Sequence, residues 1–430
     1  MVSQDKKSNK SPLMLWCSAH TTLAAEEIPL FLEAGFRVVP LMTDFWTFEY
    51  APSLDSKICP DWKASVGLPS EIVTKLQAIS FCRNSGQNEF SDEELQLLEE
   101  HVDVVYVSVL PNVAIRLAKA FKGTVMFRPF GHGSLNTYTR IAQHYKADLA
   151  ELVNCPNYMW APILSTLQSP EDPRICINAN HMGAFVSASR FGNTRWSAAR
   201  SEDYVVETIP RIEKQLYYME IYNQYRHDHA DLPLKILGGN SAGGGALQDP
   251  RILGYLENDQ YFATAAKARL SIYHGRSPYH VHYHPIEFMT LGVPVLFHKD
   301  SALAAEATHF GLTESQLVDA GMYSSVEQAN EMARAALSIP ALAESWSQRQ
   351  RFFIDEVFSR RKVLDQVRWI KSRVLQLRNW PDRISIAQEP SAADCSQDPL
   401  RRRSMSRRFV REFKRVLRQA KSVGRSRKSA

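Results

Sequence analysis

Short apolar runs alternate with amphipathic stretches throughout the first half of the chain. Residues 13–17 and 36–42 are apolar runs of the length expected for buried strands. The helical pattern between them ends at Gly35, and glycine favours the left-handed conformation that closes many helices. This strand–helix–strand order is typical of a βαβ unit, which places two parallel strands in one sheet.

The same alternation continues towards the middle of the chain. Four further strands are predicted, at residues 102–110, 124–130, 157–163 and 174–179. A helix over residues 111–121 joins the first two, and Pro111 suits its first turn because proline has no N–H to leave unpaired. Residues 43–90 have no clear period and are typical of an insertion or loop.

The second half repeats this alternation after a long helical pattern over residues 201–226. Further strands are predicted at residues 234–237, 270–273 and 293–297, and further helices at residues 258–267, 286–291, 326–337 and 341–377. Two runs of alternating strands and helices predict an α/β protein with two Rossmann-like domains.

The composition is that of a soluble protein with two cores. The chain has 430 residues, 44% of them hydrophobic, and single cores seldom grow beyond roughly 250–300 residues. No run of about 20 apolar residues predicts a membrane span, and residues 1–11 do not resemble a secretory signal. The six cysteines are scattered without metal-ligand spacing, so we expect reduced thiols in a cytoplasmic protein.

Residues 401–430 are strongly basic and follow a predicted linker at residues 381–400. They contain ten Arg and three Lys against one Glu, a net charge of +12; the whole chain has +5, so the other 400 residues carry −7. Apolar residues recur there at helical spacing, at Phe409, Phe413, Val416, Leu417 and Ala420. This pattern indicates a basic amphipathic helix on an anionic membrane surface. Nucleic-acid binding and a disordered charged tail are the alternatives.

One motif carries a family resemblance. The strand predicted at residues 270–273 leads to His284-Pro285-Ile286-Glu287, a short helix, and then Gly292-Val293-Pro294-Val295. This order, His-Pro-x-Glu followed by Gly-x-Pro-Val, resembles the donor-binding half of GT-B glycosyltransferases of the family 4 and family 1 type. The resemblance is specific over residues 249–306 and architectural elsewhere.

The resemblance implies a GT-B fold, in which two Rossmann-like domains face each other across a cleft. It implies an acceptor-side domain over residues 12–175 and a nucleotide-sugar-binding domain over residues 176–340. It also implies that helices over residues 341–380 cross back to the first domain.

Candidate donor-binding residues follow from this plan. Ligands of an open parallel sheet bind beyond the carboxyl ends of its strands, and a helix N-terminus at that edge stabilises phosphate. We expect the helix that begins near Pro285 to hold phosphate, and the Glu287 carboxylate to accept hydrogen bonds from ribose. The expected donor-binding set is Gly238, Gly239, Asn240, His280, His284, Pro285, Ile286 and Glu287.

The chain departs from the family pattern in two places. Tyr279 stands where many retaining members have a first glutamate, so retention and inversion both stay open. A pair of Arg and Lys for a diphosphate is not evident; Arg190 and Arg195 are the nearest basic residues, and we interpret both as solvated loop residues. The donor is therefore left open among UDP-, GDP- and CMP-sugars.

His280, His282 and His284 alternate with other residues, which on a strand would place three imidazoles on one face. Such a row binds zinc or lines a donor pocket. No cysteine stands close in sequence to complete a metal site. We therefore expect no metal, and a pocket role for His280 and His284.

Three residues of the first half are candidates for catalysis. His20 follows the first predicted strand, Asp44 follows the second, and His132 lies between two glycines after residues 124–130. Loops at such strand ends face the cleft in GT-B enzymes, and histidine transfers protons near neutral pH. Asp44 is a candidate base for an inverting reaction. Arg128 either binds phosphate or pairs with a core acid.

The sequence thus predicts a glycosyltransferase that moves a sugar from a nucleotide-sugar donor to a glycan or lipid-linked acceptor, in cell-surface polysaccharide synthesis. It predicts peripheral attachment to the inner face of the cell membrane through residues 401–430. No cofactor beyond the donor substrate and no nucleic-acid partner are expected. A nucleotide-sugar epimerase of the same fold and a non-catalytic GT-B scaffold protein are the alternatives.

Overall fold

The computed structural model describes residues 11–43, 62–81, 90–132, 137–213, 215–238 and 248–378. These residues form two α/β domains, each built on one parallel sheet. Several sequence predictions lie outside them: the linker at residues 381–400, the basic helix at residues 401–430, Asp44, Gly239 and Asn240.

The first sheet has five parallel strands in the order β2-β1-β3-β4-β5. The strands are β1 (Leu13–Ser18), β2 (Arg37–Met42), β3 (Val104–Ser108), β4 (Thr124–Arg128) and β5 (Tyr158–Trp160). Every strand residue except Arg37 is buried. Burial on both faces explains why these strands appear in the sequence as continuous apolar runs.

Six helices among the described residues accompany the first sheet. They are α1 (Thr21–Glu33), α2 (Trp62–Val66), α3 (Ser70–Gln77), α4 (Asp92–His101), α5 (Pro111–Ala120) and α6 (Tyr138–His144). Gly35 follows α1 with a φ of +84°, and Pro111 is the first residue of α5. Both local signals in the sequence therefore mark real helix ends.

The second sheet has six parallel strands in the order β11-β10-β9-β6-β7-β8. The strands are β6 (Glu202–Thr208), β7 (Leu234–Leu237), β8 (Ile252–Gly254), β9 (Ala268–Ile272), β10 (Val295–His298) and β11 (Met322–Tyr323). In the part of this domain that the structure describes, seven helices accompany them: α7 (Leu216–Asp228), α8 (Asn258–Lys267), α9 (Tyr283–Leu291), α10 (Ala302–His309), α11 (Glu314–Asp319), α12 (Val326–Ser338) and α13 (Pro340–Arg349).

The helix predicted over residues 201–226 is wrong in its first part, where the chain forms β6. Tyr204, Val205 and Val206 are buried in this strand, which pairs with β7 and β9 in the interior of the sheet. Charged residues at both ends of the segment give the sequence a polar spacing that is typical of a helix. Its aromatic and β-branched centre nevertheless favours a strand once neighbouring strands cover it.

Two other predicted elements also differ from the structure. The strand predicted at residues 174–179 is wrong: Pro173–Cys176 is a 3-10 helix that begins with the Asp172 side chain accepting from an N–H group. The single helix predicted at residues 341–377 is divided. Helix α13 ends at Arg349, and a π-helical turn at Phe353–Val357 separates it from the last helix.

Helix α14 (Arg360–Arg378) lies against the first domain. Lys371 donates a hydrogen bond to the carbonyl of Ala34 at 3.1 Å, just beyond α1. Arg378 forms an ion pair with Asp103 at 2.6 Å. The last described helix therefore returns the chain to the domain in which it began. Among the described residues, no helix has both the length and the apolar character of a membrane span.

Candidate functional site

The two domains contact each other at the carboxyl end of β4. Gly131 forms an antiparallel bridge with His280 of the second domain, and the N–H of His132 donates to the Tyr279 carbonyl at 3.0 Å. Gly131 has a φ of +141°, and a Cβ atom there would lie 2.8 Å from Nδ1 of His280. Both the backbone conformation and the close approach therefore require glycine.

His132 is buried at this junction, with 6% of its surface exposed. Its ring stacks on Tyr279 at a centroid distance of 5.3 Å, and its Nε2 lies 3.5 Å from a carboxylate oxygen of Glu171. Glu171 also accepts from the N–H groups of Tyr138 and Thr139 at the start of α6. His132 thus joins the two domains, and its catalytic role stays a prediction.

His20 lies at the N-terminus of α1, and its ring centroid is 6.1 Å from that of Tyr283 in the second domain. Its Nδ1 accepts a hydrogen bond from the N–H of Leu23 at 3.3 Å. Burial, together with the nearby charges of Arg211 and His280, lowers the pKa of His20 to about 4. The ring is therefore neutral at pH 7. With Nδ1 as acceptor, the proton lies on Nε2, which is left as a donor.

Glu287 lies in α9, and 9% of its side chain is exposed. Its Oε1 accepts a hydrogen bond from Arg190 at 2.8 Å, and the Tyr261 hydroxyl lies 3.4 Å from Oε2. Arg190 also bonds to Glu26 of α1 at 3.1 Å. The interpretation of Arg190 as a solvated loop residue is therefore wrong, because it links a helix of each domain. Arg195 is exposed and bonds to carbonyls of its own loop.

Helix α9 begins at Tyr283, earlier than the sequence predicts, at the edge where the strands of the second sheet end. The N–H groups of Tyr283 and His284 have no acceptor within the helix. Pro285 has no N–H, and Ile286 is fully buried. Gly238 follows β7 at the same edge with a φ of +86°. The predicted phosphate site therefore has two N–H groups without an acceptor in the helix, at the edge of the sheet where Gly238 also lies.

Arg211 is a basic residue of this edge that the sequence interpretation missed. It follows β6 with a φ of +55°, and its N–H donates to the Gly238 carbonyl at 3.1 Å. Its charge is one of the causes that lower the pKa of His20. The apolar run at residues 204–206 is the signal that could have revealed it, because ligand-binding loops follow the strands of a parallel sheet.

Glu207 and two histidines form a buried cluster under the start of α9. Glu207 belongs to β6 and is 1% exposed. Its Oε1 lies 2.6 Å from Nδ1 of His274 and 2.8 Å from Nε2 of His284. Burial alone raises the pKa of Glu207, but the two histidines outweigh it and lower that pKa to about 2. The buried carboxylate is therefore ionised at neutral pH.

The alternating histidines do not lie together on a strand. His280 lies in the bridge to Gly131, His282 precedes α9, and His284 is within that helix. Neighbouring ring centroids are nevertheless 4.6 and 5.5 Å apart. Burial first, and then the charges of His274 and His132, lower the pKa of His280 to about 4. Its imidazole is therefore neutral where it faces the first domain.

Arg128 pairs with a core acid, which decides between the two roles left open by the sequence. Its Nη2 lies 2.6 Å from Glu27, and neither side chain is exposed. The Tyr106 hydroxyl donates to the same carboxylate at 2.7 Å, and Arg128 also donates to the Ala161 carbonyl at 2.9 Å. These contacts give Arg128 a structural role inside the first domain.

Solved glycosyltransferases share this fold, whereas no protein family and no curated protein match the chain. A glycosyltransferase from Rickettsia africae ESF-5 has a TM-score of 0.53 at 11% identity, over 86% of this chain and 99% of that one. HepE from Anabaena in complex with UDP has a TM-score of 0.53 at 12% identity, over 84% and 100%. An α-glucosyltransferase in complex with UDP and a 13-mer DNA has a TM-score of 0.51 at 11% identity, over 84% and 99%.

The chain therefore has the GT-B fold, with two Rossmann-like domains facing each other across a cleft. The predicted fold class is confirmed for the described residues. At 11–12% sequence identity, the likeness to these structures shows the fold.

Proposed function

We propose that the protein is a glycosyltransferase that takes a sugar from a nucleotide-sugar donor bound on its second domain. The GT-B fold supports this proposal, as does the UDP bound by HepE and by the α-glucosyltransferase. One observation carries it: the ring centroid of Tyr283, the first residue of α9 at the edge of the second sheet, lies 6.1 Å from that of His20 in the first domain. The proposed donor site and a candidate acceptor-side histidine therefore share the cleft.

The donor phosphate is proposed to bind between Arg211 and the start of α9. The free N–H groups of Tyr283 and His284 and the partial positive charge of the helix N-terminus favour an anion. Arg211 adds a full charge with several N–H donors. Because its backbone is bonded to Gly238, the loop after β6 and the loop after β7 present one surface to the phosphate.

Ribose is proposed to bind at Glu287. Arg190 holds Oε1 of this carboxylate at 2.8 Å, whereas Oε2 has only the long contact of 3.4 Å to Tyr261 among the described residues. Oε2 is therefore the oxygen suited to accept from a ribose hydroxyl. In this arrangement Arg190 positions the carboxylate.

In the proposed transfer, the bond from C1 of the sugar to the phosphate oxygen breaks, and the acceptor hydroxyl oxygen bonds to C1. The nucleoside phosphate leaves with the electron pair, so negative charge develops where Arg211 and the N–H groups of α9 lie. The acceptor proton passes to a base, for which His132 and Asp44 remain our candidates. Neutral His20, with its proton on Nε2, is suited to donate to a substrate oxygen.

The acceptor is proposed to be a glycan or a lipid-linked glycan at the inner face of the cell membrane, in cell-surface polysaccharide synthesis. The support is the net charge of +12 on residues 401–430 and the helical spacing of their apolar residues. Near an anionic membrane surface each basic residue contributes about 1 kcal/mol to the free energy of binding. A cytoplasmic protein held peripherally by this segment would meet such an acceptor.

Calorimetric titration of the purified full chain with UDP, GDP, dTDP, CMP and ADP tests the donor site. We expect one nucleotide to bind and Arg211→Ala to weaken it about 10- to 100-fold, as expected for loss of a charged hydrogen bond. Arg195→Ala, an exposed arginine of another loop, is the matched control and should bind like the wild type. Equal weakening by both substitutions, or no binding of any nucleotide, would contradict the proposed site.

A further inference from the structure

The cluster of Glu207, His274 and His284 has the composition of a metal site. Glu207 lies near the end of β6, His274 lies just after the end of β9, and His284 lies in the first turn of α9. One ligand atom from each lies within 4.8 Å of the others. The side chains of both histidines are 5% exposed and that of Glu207 is not exposed. Three separate elements thus place nitrogen and oxygen ligands around one buried point.

The hydrogen bonds within the cluster leave nitrogen atoms unused. His284 Nε2 lies 2.8 Å from the Glu207 carboxylate, yet within the described structure it makes no hydrogen bond, and neither does His274 Nε2. His282 Nε2 is a third buried nitrogen without a partner there. Buried polar atoms without partners are rare because each has lost its hydration without compensation.

The charge of the cluster also favours a bound cation. Glu207 is buried, and no Lys or Arg of the described residues forms an ion pair with it; its ionic partners there are His274 and His284. A buried carboxylate without a cation is costly. A bound cation would supply the charge and use the free nitrogen lone pairs.

We propose that Glu207, His274 and His284 bind a divalent transition-metal ion of the zinc type. Two imidazoles and one carboxylate form a set found in zinc sites. Ligand atoms about 2.0–2.2 Å from a zinc ion lie roughly 3–3.5 Å apart, a spacing that the cluster reaches with small movements. Ser271 donates to Oε2 of Glu207 at 3.1 Å, and such outer bonds orient a ligating carboxylate.

The ion would fasten the start of α9 to β6 and β9. His284, one of its ligands, also carries a free N–H group of the first helical turn. The ion therefore has a structural and positioning role, holding that turn in place at the edge of the sheet. Nothing in this inference requires a nucleotide or a sugar, so metal binding is measured separately from transfer.

Metal content of the full chain, purified without a polyhistidine tag, tests the proposal. After chelator treatment and dialysis, the protein is titrated with Zn²⁺, and with Co²⁺ for its visible absorption bands. We expect about one ion per chain, tetrahedral or five-coordinate cobalt bands, and a higher Tm in Zn²⁺ than in chelator.

Two variants make the result specific. Glu207→Gln keeps the shape and the oxygen that accepts from Ser271 but is a poor ligand, and His284→Gln removes one nitrogen. Both should lose the ion and the rise in Tm, whereas His227→Gln, at a side chain 86% exposed, should keep them. If the wild type binds no ion, or if Glu207→Gln binds it as the wild type does, the proposal is overturned. The wild-type measurement decides even where a variant fails to fold.

Discussion

Arg190 Nη1 lies 2.8 Å from Oε1 of Glu287. The same nitrogen lies 3.1 Å from Glu26, so one guanidinium joins two carboxylates from the helices of different domains. The Glu26 side chain is fully buried and that of Glu287 is 9% exposed. The carboxylate expected to hold ribose is therefore also part of the contact between the domains.

Arg190→Met should destabilise the protein strongly, because it leaves two buried carboxylates without their cation. Loss of one partner from a buried ion pair costs about 3–5 kcal/mol. The free energy of unfolding from urea titration measures the effect. Arg195→Met, an exposed control, should change it by about 0.5 kcal/mol or less. Similar values for both variants would mean that Arg190 does not hold the carboxylates.

Gly131→Ala should destabilise the contact between the domains. The φ of +141° is unfavourable for alanine, and its Cβ would lie 2.8 Å from His280, so we expect a loss of about 1–3 kcal/mol. Gly311→Ala is the matched control, since Gly311 also has a positive φ of +97° but no atom within 4 Å of the added Cβ. Thermal unfolding of the two variants measures the loss of stability that each substitution causes. The clash is refuted if Gly131→Ala costs no more than Gly311→Ala.

His20 has a capping role and a proposed functional role that two substitutions separate. Asparagine caps helices well and alanine does not, so His20→Asn should exceed His20→Ala in stability by about 1 kcal/mol. Both variants lack the Nε2 donor and should lose about 10-fold or more in transfer rate. Urea unfolding and initial rates are measured on the same preparations. Full activity in His20→Asn would show that capping is the only role of His20.

Most strands of the first sheet can be predicted from the sequence, because each is a continuous apolar run with clear ends. Gly35 and Pro111 mark helix limits by backbone conformation alone, and such local signals do not depend on the rest of the fold. The motif from His284 to Val295 likewise predicts α9, its end at Gly292 and β10. The resemblance therefore indicated the correct fold from a short stretch of chain.

The cleft contacts could not be predicted in the same way. Arg190 and Glu287 are 97 positions apart, and no local period encodes a contact at that separation. Glu207 and Arg211 were missed because the segment that contains β6 has charged ends that suggest a helix. Strand β6 is stabilised by its neighbours β7 and β9, so its own local pattern was a poor guide to it.

Stability should depend on pH through His181. Burial first, and then Arg128, lower its pKa from 6.5 to about 4. Between pH 6.5 and 4 the unfolded chain binds a proton at this site that the folded protein does not, so stability falls as the pH falls. Relative to His181→Gln, the wild type should lose on the order of 1–2 kcal/mol between pH 7.5 and 5.

Urea titrations of both proteins at each pH measure this difference. His144→Gln, at an exposed histidine, serves as the control for the loss of an imidazole that is not buried. A wild type that gains stability over His181→Gln on acidification would have the opposite sign and would contradict the assigned shift.

Release of free nucleotide from a panel of nucleotide sugars tests the central claim most directly. The full chain is incubated with each UDP-, GDP-, dTDP-, ADP- and CMP-sugar, with and without anionic vesicles that carry lipid-linked glycans. We predict that one donor is consumed, that acceptor increases the rate, and that Arg211→Ala lowers the rate about 10-fold or more. Interconversion of a donor without release of nucleotide would indicate an epimerase. No consumption of any donor under any of these conditions would contradict the assignment as a glycosyltransferase.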